Sequence, residues 1–221
     1  MGQMNTSDPS LGLRRTALVT IDVQRDTLDG APLEIPGTSA AVPTICDLAA
    51  AFRTAGQPIV HVVRLYRADG TNAEPVRRAL VSGPTPLLRP GTPGRLLAPG
   101  LVPHDPDLDD DELLAGHAQQ VGDREIILYK PRWGAFFATD LDQRLRRDEV
   151  ETIVFAGANF PNCPRTSIYQ ASERDYQIVV ADDGISGLDG QGRAQLSGIG
   201  VELAPTEQII DRIRLEAGAH A

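Results

Sequence analysis

Residues 151–163, ETIVFAGANFPNC, decide the fold. After Glu151, the next five residues include the β-branched Thr152, Ile153 and Val154 and end in an unbroken apolar run, 153–156, which is typical of a strand covered on both faces. Gly157 ends the run, and a turn leads to Cys163, which stands directly before Pro164. Because proline favours the first position of a helix, the stretch predicts a strand, a turn and then a helix with Cys163 at its N-cap.

Similar runs recur along the chain and alternate with helical patterns. The other predicted strands are residues 17–21, 58–63, 125–129, 176–181 and, more weakly, 201–203. Helices are predicted over residues 38–54, 139–147, 167–174 and 206–215, from apolar spacing or capping residues. This alternation predicts an α/β fold, a doubly wound parallel sheet of six strands with helices on both faces.

One long insert interrupts the alternation between the second and third strands. Residues 64–123 are rich in proline, glycine and arginine, and only a short helix near residues 73–80 is predicted there. A connection of this length often has a function, so we expect a lid over an active site or an assembly surface, with a mere spacer as the alternative. The chain shows no internal repeat, and residues 1–221 are predicted to form a single domain.

Composition and charge argue against several classes of protein. The 30 Asp and Glu residues outnumber the 21 Lys and Arg residues and give a formal charge of −9, which opposes binding to nucleic acid or an anionic membrane. The N-terminus lacks the order of a signal peptide, no apolar run approaches the roughly 20 residues of a membrane span, and a match to the myristoylation pattern at Gly2 is too short to be informative. With only two cysteines, Cys46 and Cys163, we expect a cytoplasmic protein without a disulfide framework.

Three reactive side chains follow three of the predicted strands. Asp22 ends the first strand, Lys130 ends the third, and Cys163 follows the turn after the fourth. Ligands of open parallel sheets bind beyond the carboxyl ends of the strands, so we expect these side chains to share one crevice. Each also has a structural alternative, as a turn cap, a surface lysine or a buried thiol. Cys46, inside a predicted helix, is expected to be such a buried thiol.

The surroundings of Cys163 suggest a nucleophile. At a helix N-cap, unpaired N–H groups and the helix dipole favour a thiolate, and such a setting can bring the pKa of a cysteine from about 8.5 to below about 7.5, so a lowered pKa is expected here. The same N–H groups could hold the oxyanion that forms when sulfur attacks a carbonyl. Lys130 would stabilise the thiolate or the oxyanion, and Asp22 would accept the thiol proton and return it to a leaving amine.

Short motifs, in order along the chain, carry a specific resemblance. They are Ile21-Asp22-Val23-Gln24, Lys130 with Phe136, Thr139 and Leu141, Gly157 six positions before Cys163, and Asp182 after the fifth strand. Over nearly its whole length the chain resembles the isochorismatase-like cysteine hydrolase superfamily, in its amidohydrolase branch.

The resemblance implies both a fold and a set of site residues. The fold is a six-stranded parallel sheet with helices on both faces, and the catalytic triad is Asp22, Lys130 and Cys163. A non-proline cis peptide is implied at Ala158–Asn159, with the backbone N–H groups of Asn159 and Cys163 forming the oxyanion hole. Relatives commonly form dimers or tetramers, so a homo-oligomer is expected.

Three departures from the common pattern limit what the resemblance transfers. Thr27 stands where relatives often have phenylalanine, so one aromatic wall of the site is expected to be missing. The nucleophile turn, NFPNCPR over residues 159–165, contains two prolines and indicates a distinct subgroup. The Asp-x-His set of metal-dependent nicotinamidases is absent, and a lone histidine such as His61 is usually packed or hydrogen-bonded. We therefore expect no metal and no cofactor.

The predicted function is hydrolysis of a C–N bond in a small amide, N-carbamoyl compound, imide or lactam, through a thioester intermediate. Candidate substrate-binding residues are Trp133, Phe160 and Arg165, which lie close in sequence to catalytic positions. Trp133 could instead pack under the lid, and Arg165 could point outward.

Other functions stay open at this point. A vinyl-ether hydrolase of the isochorismate type would use Asp22 as the acid and need no thiol. A thiol protease would need a histidine, and His61 is the candidate. A small-molecule binder or thiol sensor would keep the fold without turnover. The sequence does not name the substrate, because one fold serves many chemistries.

Overall fold

The computed structural model describes residue 13 and residues 15–218, with side chains up to residue 216. The predictions about a signal peptide and a myristoylation pattern concern residues 1–12 and lie outside this part of the chain. In the described residues the strands are β1 Thr16–Ile21, β2 Ile59–Val63, β3 Gln119–Gly122, β4 Glu125–Tyr129, β5 Thr152–Gly157, β6 Gln177–Ile185 and β7 Glu202–Ala204. The helices are α1 Thr38–Thr54, α2 Pro75–Val81, α3 Asp110–Leu114, α4 Leu141–Arg147, α5 Cys163–Ser172, α6 Gly190–Gly198 and α7 Thr206–Gly218.

The strands form one twisted sheet in the order β3-β4-β2-β1-β5-β6-β7. All neighbouring pairs are parallel except β3 and β4, which are antiparallel. The chain runs from β1 outward through β2 to β4 and then returns to β5 on the other side of β1. The strand order therefore reverses beside β1, where a crevice opens at the carboxyl edge of such a sheet. The predicted doubly wound α/β fold is confirmed.

The prediction of six strands misses one, since β3 adds an antiparallel strand at the edge of the sheet. Its sequence, Gln-Gln-Val-Gly, is short and polar, so it lacks the apolar pattern by which strands are recognised. Two helices were also missed. Helix α6 contains three glycines and is capped by Asp189, which accepts the Gly192 N–H, and α3 lies in the insert behind the cap Asp109.

Each face of the sheet carries its own apolar core. Helix α1, α7 and part of the insert cover one face, packed on Leu18, Ile59 and Val154. Helices α4, α5 and α6 cover the other, packed on Val19 and Phe155. Burial on both faces explains the continuous apolar runs of the central strands. None of the helices in the described residues has the length and apolar character of a membrane span.

The insert, residues 64–123, contains α2, α3 and β3 and packs along the loop that follows β1. Gln24 forms a bridge with Leu97, and its side-chain Nε2 donates to the carbonyls of Arg64 and Arg95 at 3.0 and 2.6 Å. The Asp26 carboxylate accepts the Leu88 N–H at 2.6 Å. These bonds hold the insert against the carboxyl end of β1; its role as a lid or an assembly surface stays a prediction.

Candidate active site

Asp22 and Lys130 meet at the carboxyl edge of the sheet although they are 108 residues apart in sequence. Lys130 Nζ lies 2.8 Å from Asp22 Oδ2, and the lysine side chain is 0% exposed. Lys130 is the only lysine in the sequence, and all the other residues among the 21 Lys and Arg are arginines. A compact ammonium is therefore used at this one position, where a wider guanidinium would need more buried space.

The backbone of Asp22 is held in a conformation that few non-glycine residues adopt. Its φ is 53°, in the left-handed region, and its N–H donates to the Val62 carbonyl at 2.9 Å. Thr27, which is 1% exposed, donates its hydroxyl to the Asp22 carbonyl at 3.1 Å and to the Gln24 carbonyl at 2.7 Å. Thr27 therefore closes the turn that aims the carboxylate, and strained backbone of this kind is concentrated at functional sites.

The second carboxylate oxygen of Asp22 has no hydrogen-bond donor. Oδ1 is buried, and none of the described residues offers it a partner. A buried carboxylate oxygen normally accepts a hydrogen bond, so an unpaired one needs an explanation. It is the atom that can accept a proton from a group entering the crevice.

Cys163 lies beside Asp22 and is the first residue of α5, whereas Asn162 occupies the N-cap. The predicted position of the cysteine at the N-cap is thus one residue off. The carbonyl of Cys163 accepts the Ser167 hydroxyl at 2.7 Å, and the Ser167 oxygen accepts the Ala135 N–H at 3.0 Å. These bonds tie the first turn of α5 to the segment that follows Lys130.

The predicted low pKa of Cys163 is wrong for this structure. The residue is 6% exposed, and burial together with the Asp22 carboxylate raises the pKa of its thiol to about 12. Lys130 and Arg64 act in the opposite direction but lower the pKa by less. The helix terminus on which the prediction rested does not outweigh burial and a neighbouring negative charge. The resting site therefore holds a neutral thiol next to a carboxylate.

The turn before the nucleophile contains no cis peptide, and none occurs in the described residues, so the expectation at Ala158–Asn159 is wrong. Gly157 makes the turn instead, with φ at 124°. A Cβ atom there would lie 2.2 Å from the Ile21 carbonyl oxygen, so only glycine fits. Ala158 then donates its N–H to the same carbonyl at 2.8 Å, and the trans chain continues to Asn159.

Two backbone N–H groups of this turn are available. In the part of the chain described, the N–H groups of Asn159 and Cys163 have no hydrogen-bond acceptor. Asn162 instead donates to the Asn159 carbonyl at 3.1 Å, and Phe160 to the Ser186 carbonyl at 2.8 Å. The two free donors are those that the family resemblance implies for an oxyanion hole, a role that stays a prediction.

The candidate substrate-binding residues lie in three different environments. Trp133 is half-buried, and its indole N–H is buried without an acceptor among the described residues. Phe160 is 3% exposed and packs against α6, where a Cβ on Gly192 would lie 2.4 Å from its ring. The Arg165 guanidinium lies 5.8 Å from the centre of the Tyr169 ring, on its own helix. Trp133 thus offers an unpaired polar atom, whereas Phe160 has a packing role.

Sequence reasoning missed a group of residues from the insert. Arg64 follows β2 directly, as Asp22 follows β1, and it lowers the pKa of Cys163. Its guanidinium pairs with Glu74 and lies 4.7 Å from the centre of the Tyr66 ring. Arg77, on α2, donates to the Tyr66 hydroxyl at 3.4 Å. The strand-end position of Arg64 was a usable signal, but nothing in the sequence pattern marks Arg77.

His61 is hydrogen-bonded, as expected for a lone histidine, but it lies in the middle of β2. Its Nδ1 lies 2.8 Å from Thr20 Oγ1, and its Nε2 lies 2.8 Å from Glu125 Oε1. Arg53 in turn donates to both oxygens of Glu125. Both ring nitrogens of His61 are thus hydrogen-bonded on the face of the sheet that α1 covers, which argues against a role as the base of Cys163. Among the described residues, no three His, Cys, Asp or Glu side chains are placed to hold a metal ion.

The chain thus forms a doubly wound, mostly parallel α/β sheet that carries a carboxylate, an ammonium and a thiol at its carboxyl edge. The chain belongs to the isochorismatase family, because the family model for the isochorismatase domain matches residues 16–198. The solved structure of an isochorismatase family protein from Desulfovibrio vulgaris is similar, with a TM-score of 0.77, 33% identity, and 90% of this chain and 97% of that chain covered.

Curated relatives point to amide chemistry but not to one activity. Maleamate amidohydrolase from Pseudomonas putida is 33% identical over 172 residues, which cover 76% of this chain and 70% of that protein. A protein from Arabidopsis thaliana named "Probable inactive nicotinamidase" is 31% identical over 169 residues, 75% of this chain and 77% of its own length. The family resemblance seen in the sequence is therefore confirmed, and amidohydrolases are among the relatives.

Proposed function

We propose that the protein is a cysteine amidohydrolase that cleaves a C–N bond of a small amide, N-carbamoyl compound, imide or lactam. The observation that carries the proposal is the contact of Asp22 with Lys130, at 2.8 Å, next to the buried Cys163 thiol. Family membership and the amidohydrolases among the relatives support the same chemistry.

Asp22 acts as the general base in the first step. Its free Oδ1 takes the proton from Cys163 Sγ while sulfur forms a bond to the carbonyl carbon, and the C=O electron pair moves onto oxygen. Because burial and Asp22 raise the pKa of the resting thiol to about 12, the proposed step couples proton transfer to the attack of sulfur. The N–H groups of Asn159 and Cys163 would hold the oxyanion.

The same proton is then used for the leaving group. When the tetrahedral intermediate collapses, the C–N bond breaks, Asp22 protonates the departing nitrogen, and a thioester remains on Cys163. Water next attacks the thioester carbon and gives a proton to Asp22. The C–S bond breaks, and sulfur recovers the proton from Asp22. Lys130 holds the carboxylate in place and offsets its charge throughout, and no step needs a cofactor.

The test is mutation of each cysteine together with intact-protein mass spectrometry during turnover of a panel of small amides and N-carbamoyl compounds. We expect Cys163→Ala to lower turnover by at least about 10³-fold, with no acyl adduct, because the nucleophile is gone. Cys46→Ala is the matched control and should keep full activity, since Cys46 lies in α1.

Two outcomes would redirect the assignment. Turnover of isochorismate by the Cys163→Ala variant would establish the vinyl-ether reaction with Asp22 as the acid. Saturable binding without product over long incubation would place the protein among inactive members of the family. The cytoplasmic location and the homo-oligomer stay predictions.

A further inference from the structure

The turn before α5 repeats one short pattern. Residues 159–164 read Asn-Phe-Pro-Asn-Cys-Pro, which is the unit Asn-x-Pro twice, with Asn159 and Asn162 at its first positions. An asparagine side chain usually accepts a hydrogen bond from the backbone N–H two residues further on, in an Asx turn or at a helix N-cap. In both units that residue is a proline, which has no N–H. Neither asparagine can therefore make its usual local bond.

Asn162 does not cap α5, although it occupies the N-cap. Its side chain accepts no hydrogen bond from the first turn of the helix. The second helical residue is Pro164, and the third, Arg165, donates its N–H to the Phe160 carbonyl at 3.2 Å. The N–H groups that a capping asparagine would bind are thus absent or already bonded.

The two asparagine side chains bond to each other instead. Asn162 Nδ2 donates to Asn159 Oδ1 at 3.1 Å, and the backbone N–H of Asn162 donates to the Asn159 carbonyl, also at 3.1 Å. The Asn162 carbonyl in turn accepts the N–H and the hydroxyl of Thr166 at 3.0 and 2.9 Å. Asn162 is therefore bonded through its side chain, its N–H and its carbonyl, and it joins the start of the turn to the first turn of α5.

The two free N–H groups of the turn lie at either end of this pair. They are those of Asn159 and Cys163, which have no acceptor among the described residues. One is carried by the first member of the pair and the other by the residue directly after the second. The separation of the two donors therefore depends on how the pair holds residues 159–162. Asn159 Oδ1 accepts from Asn162 and from neither of these N–H groups.

We propose that Asn162 is a positioning residue for an oxyanion hole. Its bond to Asn159 sets the separation of the N–H groups of Asn159 and Cys163, so that both donate to the oxygen of a carbonyl under attack by sulfur. Pro161 and Pro164 maintain that bond, because they remove the N–H groups that would draw the two side chains to the backbone. This inference rests on the proposed hydrolysis at Cys163 and adds the residue that holds its oxyanion donors in place.

The experiment compares two reactions of Cys163, only one of which forms an oxyanion. Iodoacetamide alkylates sulfur by displacing iodide from a saturated carbon. p-Nitrophenyl acetate acylates sulfur: the C–S bond forms, the carbonyl oxygen becomes an oxyanion, the thiol proton passes to Asp22, and p-nitrophenolate leaves as the carbonyl is restored. The measured quantity is the ratio of the acylation and alkylation rate constants, after subtraction of the rates of the Cys163→Ala protein.

We expect Asn162→Leu to lower the acylation rate by roughly 10- to 100-fold, because a displaced N–H stabilises the oxyanion less well. The alkylation rate should not change, since the thiol and Asp22 are intact. Thr166→Val is the matched control. It also removes one side-chain hydrogen bond to Asn162, but the Asn162 carbonyl keeps the Thr166 N–H, so the ratio should equal that of the parent.

Pro161→Ala tests the same bond from its other end. It gives Asn159 Oδ1 an N–H two residues further on, so the side-chain pair should weaken and the ratio should fall, by less than in Asn162→Leu. Equal losses of acylation and alkylation in Asn162→Leu, or an unchanged ratio, would each overturn the inference. If Asn162→Leu does not fold, Pro161→Ala decides alone by the same two outcomes.

The same proteins separate this inference from the proposed function. Amide turnover that requires Cys163, with a ratio that does not depend on Asn162, would remove the positioning role and keep the amidohydrolase. A parent protein that is alkylated but forms no acyl adduct would overturn the inference. Amide turnover that survives Cys163→Ala would overturn the proposed function together with it.

Discussion

Lys130 Nζ lies 2.8 Å from Asp22 Oδ2 in a site where the two side chains are 0% and 8% exposed. The pair brings together the carboxyl ends of β4 and β1, which are separated in the sheet by β2. It leaves the other Asp22 oxygen, Oδ1, buried and without a hydrogen-bond partner among the described residues. The ion pair affects the stability of the fold, and the Asp22 carboxylate affects the protonation of Cys163. The two effects can be tested separately.

The first prediction concerns the protonation state of Cys163. Because burial raises the pKa of this thiol to about 12, its rate of alkylation should keep rising through pH 9 and 10 without a plateau near neutrality. Asp22→Asn removes a charge that raises the pKa, so alkylation at pH 8 should become about 10-fold faster, one pKa unit. Turnover should fall by about 10²–10⁴-fold, since the base is lost.

The measurement is alkylation with peptide mass spectrometry, and Cys46 in the same protein is the internal control. Its pKa is raised by burial and by Asp47, so Asp22→Asn should not change its rate. A plateau of the Cys163 rate near pH 7 in the parent would show that the thiolate is already formed at rest.

The second prediction concerns the buried ion pair. Lys130→Met leaves Asp22 as a buried charge without a partner, so the free energy of unfolding should fall by about 3–5 kcal/mol at pH 7. The double variant Asp22→Asn/Lys130→Met removes both charges and should recover most of that loss. Urea unfolding of the three variants checks this. A Lys130→Met protein as stable as the parent would mean that water reaches Asp22.

The third prediction concerns the glycine beneath the nucleophile turn. A Cβ at Gly157 would lie 2.2 Å from the Ile21 carbonyl oxygen, and the residue has positive φ. Gly157→Ala should therefore lower the free energy of unfolding by about 2–4 kcal/mol. It should also displace the backbone of Asp22, which follows Ile21. Gly198→Ala is the control, because nothing lies within 4 Å of that Cβ. It should be neutral or stabilising; equal effects of the two substitutions would contradict the close approach of β1 and β5.

The fourth prediction concerns pH and the network of His61. Burial lowers the pKa of His61 below its ordinary value of 6.5. Below pH 6.5 the His61 side chain therefore binds a proton more readily in the unfolded chain than in the folded protein. Stability is therefore complete above pH 6.5 and falls as the pH drops below it. From pH 7.5 to 5.5 the loss should reach about 1.4 kcal/mol at most.

Chemical unfolding at these two pH values tests the contribution of His61, and His61→Gln should reduce the loss. Glu125 does not interfere, because its pKa is lowered to about 2, with Arg53 and His61 outweighing burial. Its contribution is present above its ordinary pKa of 4.5 and is lost only as the pH falls from there towards 2. A pH-independent stability in this range would place His61 in contact with solvent.

Much of the fold could be predicted because burial leaves a pattern in the sequence. Helix α1 was predicted with the bounds that the structure has, Thr38–Thr54, and the central strands within one or two residues at their N-terminal ends. Strand β3 was not predicted, because this short polar edge strand is held by its pairing with β4 rather than by apolar residues of its own. Helix α6 was not predicted, because its glycines have a low intrinsic propensity to form a helix.

The sequence by itself determined which chemical groups meet at the candidate site. In a parallel sheet the strands end at one edge, so Asp22, Lys130 and Cys163 can be placed near one another from strand order alone. Only the tertiary structure decided their state. The pKa of Cys163 depends on burial and on charges brought near it from distant segments, and the partner of Arg64 depends on how the insert folds back. Local sequence contains neither the distances between such groups nor the loss of solvent around them, and both are set by packing.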